Sequence, residues 1–191
     1  MSDPVDTLTD DAATAPPRLP TNSWGAAVVH LAAGVSTILS KGERREIQTM
    51  RWDRWDTGLV WKCLHHFVFP HQPELNLNRD QVDANEQRWA ALIIAMSWCP
   101  HSHSQGALRF GSALGRSQYQ EPRFIALTRC EGHDLALYDR FIHATRYLGQ
   151  RDTPLDWRNA SLVLFTIDQE KRERLRRDLA RDYYREQHLG R

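Results

Sequence analysis

Along the chain, apolar residues recur every three to four positions and nowhere alternate singly over a convincing length, the period of helices rather than strands. The first run covers about 23–39, with Ala27, Leu31, Val35 and Ile38 on one face. Ser40-Lys41-Gly42-Glu43 has the form of a capping box and opens a short helix carrying Arg44, Arg45, Ile47 and Met50. Arg51-Trp52-Asp53-Arg54-Trp55 reads as a turn. Gly58 to Phe69 gathers Val60, Leu64 and Phe67 on one side before Pro70 stops the helix. A polar loop over 71–80 follows. Asp83 with Glu86 then offers a cap to a helix that buries Trp89, Leu92, Ile93 and Met96.

Pro100 to Gln105 is the most flexible-looking internal stretch and marks a subdomain boundary. Beyond it, Gly106 to Arg116 forms a short helix. Glu121-Pro122 starts the next, with proline in the first turn and Phe124 and Leu127 inward. The most regular amphipathic segment is 134–148, where Leu135, Tyr138, Phe141, Ile142, Thr145 and Leu148 keep the helical spacing and Gly149 ends it.

Two N-caps organise the last stretch. Asp156 precedes Trp157, and Asp168 opens a helix to about Gln187, with Ile167 packing back onto its first turn. On that helix Leu175, Leu179 and Tyr183 form an apolar stripe, while Arg174, Arg177, Arg181 and Arg185 fall on roughly the opposite side. With Glu170, Glu173, Asp178, Asp182 and Glu186 interleaved, spacing alone favours a merely solvated face held by charge pairs, the usual fate of a charge run on a helix. The pattern gives an all-α protein of two small helical-bundle subdomains, 23–104 and 105–191, behind a tail at 1–22 too polar and Pro-rich to order.

Composition refines this picture at a few points. A chain of 191 residues is long enough to bury a sizeable core. Its net charge of +1 is unevenly spread: residues 1–22 carry one arginine against four aspartates, or −3, and residues 169–191 carry eight Lys/Arg against five Asp/Glu, or +3. That bias is mild for a stand-alone tight DNA binder. Three widely spaced cysteines indicate neither a disulfide framework nor a zinc ribbon, and no run has the length of a membrane span or the form of a signal peptide, so a reduced, cytoplasmic setting is expected.

Chemistry-bearing motifs are sparse. Cys99, His101 and His103, and separately His65, His66 and His71, lack the spacing of a familiar metal site; nucleophile elbows, Walker loops and dinucleotide turns are absent. No catalytic residue, metal or cofactor is nominated. Basic groups remain: Lys41, Arg44, Arg51, Arg109, Arg116, Arg123 and Arg129, together with the four arginines of the last helix, are candidate contacts to nucleic acid or to a partner subunit. Separate arginines suit phosphate contact better than base readout. Arg51-Trp52 and Arg54-Trp55 pair guanidinium with indole as single-strand binders do, although the tryptophans would serve as well to anchor the loop in the core.

Pro154-Leu155-Asp156-Trp157, followed by the arginine-rich helix ending Ala180-Arg181-Asp182-Tyr183-Tyr184, resembles the C-terminal signature of the CasB family, the small subunit of the type I-E CRISPR surveillance complex Cascade. Gly111-Ser112-Ala113-Leu114 resembles that family's glycine-arginine-alanine-leucine helix, and Glu121-Pro122-Arg123 its glutamate-arginine-arginine segment. The resemblance covers about Gly106 to Tyr184 and is looser upstream. It departs at Ser112, Pro122 and Gln48-Thr49, where relatives usually have arginines, so contacts made there are missing or displaced onto Arg109, Arg116 or Arg51.

The resemblance implies a non-catalytic helical subunit, present as two copies in contact with the backbone-forming and large subunits. It would hold the displaced single DNA strand and meet the CRISPR RNA only through the complex. Two other readings compete: a helical metal-dependent hydrolase using the histidine clusters, which metal content would reveal, and a free-standing single-strand nucleic-acid-binding protein, which gene neighbourhood would separate.

Overall fold

A computed structural model describes residues 24–71, 79–99, 106–131 and 135–189; within 79–84 it describes the backbone alone. The expected disordered tail at 1–22 and the subdomain boundary at 100–105 lie outside the described residues, as does most of the expected loop at 71–80. Among the described residues there are nine α-helices and no strand, so the protein is all-α.

Helix α1 (Trp24–Thr37) buries Ala27, Leu31 and Val35 as the spacing requires. Ile38 does not follow them: the helix ends at Thr37, and Ile38 is 60% exposed while Leu39 turns inward. Helix α2 (Lys41–Thr49) carries both halves of the capping box, the Glu43 amide donating to Ser40 Oγ at 3.2 Å and the Ser40 amide to Glu43 Oε2 at 2.8 Å. Lys62 adds a bond to Glu43 at 2.6 Å, and these partners hold the Glu43 carboxyl at about 2. After a 3₁₀ turn at Trp52–Arg54, α3 (Gly58–Cys63) runs on into a π-helical turn at Leu64–Val68. That wider turn swings the half-buried Phe67 ring against Gly34 of α1, where a Cβ would collide with it.

Helix α4 (Arg79–Trp98) is already under way at Asp83, so the cap expected there is corrected to an earlier start. From Trp89 to Met96 every side chain is buried, which makes α4 the central helix, packed by α1, α2, α7 and α8. Helices α5 (Phe110–Arg116), α6 (Glu121–Arg129) and α7 (Leu135–Gly149) follow. On α7, Tyr138, Phe141, Thr145 and Leu148 are buried; Leu135, at the first turn, is instead 58% exposed.

The Pro154–Trp157 motif ties two segments together. The Leu108 amide donates to the Pro154 carbonyl at 3.2 Å and the Asp156 amide to the Leu108 carbonyl at 2.9 Å, with Leu155 and Trp157 fully buried. Asp156 then caps α8 (Trp157–Phe165) through the amides of Arg158 and Asn159. Asp168 accepts from the Lys171 amide at 2.9 Å and starts α9 (Gln169–Leu189). Ile167 does not staple that helix; it is 59% exposed. Buried residues from α1 through α9 form one continuous core.

Candidate nucleic-acid interface

Helix α9 meets α5 at unusually short range, and glycine makes this possible. A Cβ on Gly111 would lie 2.5 Å from the Leu179 carbonyl oxygen, and one on Gly115 would strike that of Tyr183. The adjacent Tyr183 and Tyr184 meet different surroundings. Tyr183 is buried, stacked on Phe124 with ring centroids 4.0 Å apart, and its hydroxyl donates to the Tyr119 carbonyl at 2.5 Å. Tyr184 lies at the surface and donates to Glu121 at 2.7 Å.

With the core face of α9 fixed in this way, Arg174, Arg177, Arg181 and Arg185 are all exposed. Arg174 pairs with Glu170, Arg181 with Asp178 at 2.9 Å, and Arg177 makes no ion pair among the described residues. Arg185 reaches across to donate to Ser112 Oγ at 3.3 Å. Arg109, N-terminal to α5, pairs with Asp182 at 3.1 Å, and Arg116 holds Glu186 through two donors at 3.1 and 3.0 Å. The structure therefore brings Arg109, Arg116, Arg181 and Arg185 together on the α5–α9 seam around the carboxylates of Asp182 and Glu186.

The other candidates lie apart from this seam. Lys41 is exposed at the start of α2. Arg44 is turned inward: it donates to the Ser36 and Val35 carbonyls at 2.8 and 3.2 Å and so caps α1. Arg51 is clasped by Asp53 at 2.8 Å. Its neighbours Trp52 and Trp55 are half-buried against the core, Trp52 Nε1 donating to Asp139 at 2.7 Å. Arg123 and Arg129 are exposed on α6. Gln48 is a structural residue that donates to the Ser97 carbonyl at 2.7 Å.

The burial of two charged residues of α9 was not foreseen in the sequence. Arg172 is 4% exposed and donates to the carbonyls of Cys130 at 3.1 and 2.8 Å, Thr166 at 2.9 Å and Val163 at 3.3 Å. Burial, with Arg176 beside it, pulls its guanidinium below the usual value. Asp182 is 2% exposed beneath Arg109, Arg181 and Arg185. A signal existed: at 100° per residue both fall on the stripe of Leu175, Leu179 and Tyr183.

The histidines do not converge. His66 Nδ1 bonds the Lys62 carbonyl at 2.9 Å, His65 meets the Phe69 ring edge-on, and His71 stacks on His30 at 4.2 Å. Among the described residues no group of three or more His, Cys, Asp or Glu side chains could hold a metal ion. His101 and His103 lie outside those residues. Burial pushes the Cys63 and Cys99 thiols up to about 11, so both stay protonated at neutral pH. No helix among the described residues is long and apolar enough to cross a membrane.

The family model for CRISPR-associated protein Cse2 matches residues 36–184. Comparisons with curated proteins and with solved structures give no significant match. The match extends the likeness seen at Gly111–Leu114, Pro154–Trp157 and Ala180–Tyr184 through most of the 191-residue chain. The chain belongs to the Cse2 family, the CasB small subunit of the type I-E CRISPR Cascade complex.

Proposed function

We propose that the chain is a non-catalytic subunit that holds the displaced, non-target DNA strand and so stabilises the R-loop, while bridging neighbouring Cascade subunits in antiviral defence. The carrying observation is the exposed row Arg174, Arg177, Arg181 and Arg185 on the side of α9 away from its apolar stripe. Arg109 and Arg116 stand beside two of these on the seam with α5. Such a row supplies phosphate contacts without reading sequence. Replacing a DNA duplex by an RNA–DNA hybrid is nearly energy-neutral, so a few contacts to the freed strand are enough to tip the balance.

The partners proposed from family membership are the backbone-forming subunits, the large subunit and a second copy of this chain, with the CRISPR RNA met only through the complex. Lys41, Arg44, Arg51, Arg123 and Arg129 belong to the same proposal as contacts to strand or subunit, with Arg44 acting from its capping position. The two-bundle organisation, 23–104 and 105–191, is proposed alongside, and a single cooperative exchange unit in native-state hydrogen exchange would count against it.

The test replaces the four α9 arginines by glutamine and assembles the complex with target DNA. R-loop formation should weaken and the displaced strand become more accessible to a single-strand nuclease. Binding of an oligothymidylate by the isolated chain should lose salt dependence by about 0.7 in log–log slope per lost phosphate contact. Unchanged R-loop stability in the assembled complex would remove α9 from the strand path.

A further inference from the structure

A second concentration of positive charge lies away from the α5–α9 seam. Two hollows, of about 360 and 220 Å³, adjoin along one face of α7 and share Arg123 and His143 in their walls. The first is also lined by Tyr119, Asp139 and Arg140, the second by Arg146, Tyr147 and Gln150. Asp139, the carboxylate of this lining, is already engaged by Trp52 Nε1 at 2.7 Å.

The cations are held in place before any ligand arrives. Arg140 donates to the Ala126 carbonyl at 2.6 Å and contacts Cys130 Sγ at 2.8 Å. Arg146 lies over the Trp98 ring at 4.3 Å, and Arg151 over Tyr147 at 3.9 Å. The Tyr147 hydroxyl is itself fixed on the Ser117 and Gln118 carbonyls at 3.0 and 3.1 Å. Rigid cations with aromatic rims are the recurring surface of single-strand binders, because little side-chain entropy is lost on contact.

At the partition between the hollows, Arg123 Nη1 faces His143 Nε2 at 3.3 Å, and His143 Nδ1 faces the Tyr119 hydroxyl at 3.2 Å. A guanidinium only donates, so Nε2 accepts and the ring of the unliganded protein carries its proton on Nδ1. Protonation of Nε2 makes it a second donor beside Arg123 Nη1, and a phosphate oxygen that displaces the Arg123–His143 bond is then held by both. We propose that the α6–α7 groove takes the phosphodiester backbone of a single strand, with one phosphate seated between Arg123 and His143 and a proton taken up on His143 Nε2 as it binds.

This rests on the strand-holding reading and adds a second contact site to it. The groups facing His143 are Tyr119 from the α5–α6 connection, Arg123 from α6, and Asp139, Arg140, Arg146 and Tyr147 from α7. Burial first, then Arg123 and Arg146, holds the imidazole below its ordinary value in the free protein. A bound phosphate reverses the balance and raises it. Binding is then coupled to proton uptake: affinity rises as pH falls from the bound-state to the free-state pKa of His143, by at most tenfold per pH unit, and is flat above that window.

The test is fluorescence anisotropy of a labelled oligothymidylate with the full isolated chain at constant low salt, across about pH 5 to 8. Wild type should bind more tightly toward the acid end. His143→Gln, which donates without titrating, should bind with a flat pH profile. Arg123→Gln with Arg146→Gln should bind several-fold more weakly at every pH, with the circular dichroism unchanged. A pH profile shared by wild type and His143→Gln, affinity indifferent to the arginine pair, or no binding at either end of the range would each overturn the groove. The strand-holding role is judged separately, by R-loop formation with the α9 variant in the assembled complex, which these outcomes leave untouched.

Discussion

Arg172 and Arg174 stand two residues apart on α9 and meet opposite surroundings. The first is buried and spends its donors on three main-chain carbonyls; the second is exposed and pairs with Glu170 one turn back. The same contrast divides Asp182, sealed beneath three arginines, from Asp178, which lies half out of the protein. The difference shows that an arginine-rich helix is not one electrostatic surface. Its inner charges replace core contacts and fix where the chain goes, and its outer charges are left for something else. Each half of that statement can be broken by a substitution.

The largest effect belongs to Arg172. Replacement by methionine keeps the stem and volume but strips the donors from the Cys130, Val163 and Thr166 carbonyls, which end α6 and α8. Charge-assisted bonds of this kind are worth about 1.5–3 kcal/mol each when their partners are left unsatisfied, and they do not add fully. A loss of about 3 kcal/mol or more in denaturant unfolding is expected. A loss under about 1 kcal/mol would show that water reaches these carbonyls and that Arg172 belongs with the outer set.

Next comes the close approach that creates the two faces. Gly115→Ala puts a methyl under the Tyr183 carbonyl and beside Glu186 Cβ, and α5 must back away from α9. Overpacking of this order costs about 1–3 kcal/mol. The same shift should loosen the Arg116–Glu186 pair, so the melting temperature should fall further than for Arg116→Gln alone. Equal falls would mean that α5 absorbs the methyl without moving.

How much of this was open to a reader of the sequence depends on the range of the interaction concerned. The caps at Ser40, Asp156 and Asp168 were legible because each is a bond between residues two or three apart. Buried faces in helix interiors were legible for the same reason. Ile38, Leu135 and Ile167 were misjudged because they sit at helix ends or between helices, where the next element decides burial and periodicity has no further turn to speak through. Arg172 and Asp182 were passed over as surface charges, although a charge in register with an apolar stripe is itself a sign of burial with partners. The π turn after α3 and the pairing of Arg123 with His143 depend on contacts between segments, and no local pattern carries them.

Asp182→Asn should give a smaller loss than either substitution above. The carboxylate is buried, but its partners Arg109, Arg181 and Arg185 are 47%, 65% and 55% exposed and can turn to water once it is neutral. The stranded-charge penalty of a fully buried pair is therefore largely avoided, and a loss of about 1–2 kcal/mol is expected on chemical denaturation. A loss as large as that of Arg172→Met would make the seam cluster a structural core of charge rather than a hinge between inner and outer residues.

The smallest stability effect is expected at Arg181, and it is the sharpest test of the outer set. The residue sits within the Ala180–Tyr184 run, beside buried Asp182 and Tyr183, which would suit a structural arginine. Its geometry says otherwise: it is 65% exposed, pairs with Asp178 at 2.9 Å, and reaches buried Asp182 only at 3.9 Å. Asp182 keeps Arg109 at 3.1 Å when Arg181 is removed, so no carboxylate is stranded. Exposed pairs contribute about 1 kcal/mol or less, because both ions are well hydrated when apart. Arg181→Gln should thus leave the melting temperature nearly unchanged while weakening oligothymidylate binding by the chain. A large fall in melting temperature with strand binding intact would place Arg181 beside Arg172, and the division of α9 into inner and outer charge would fail there.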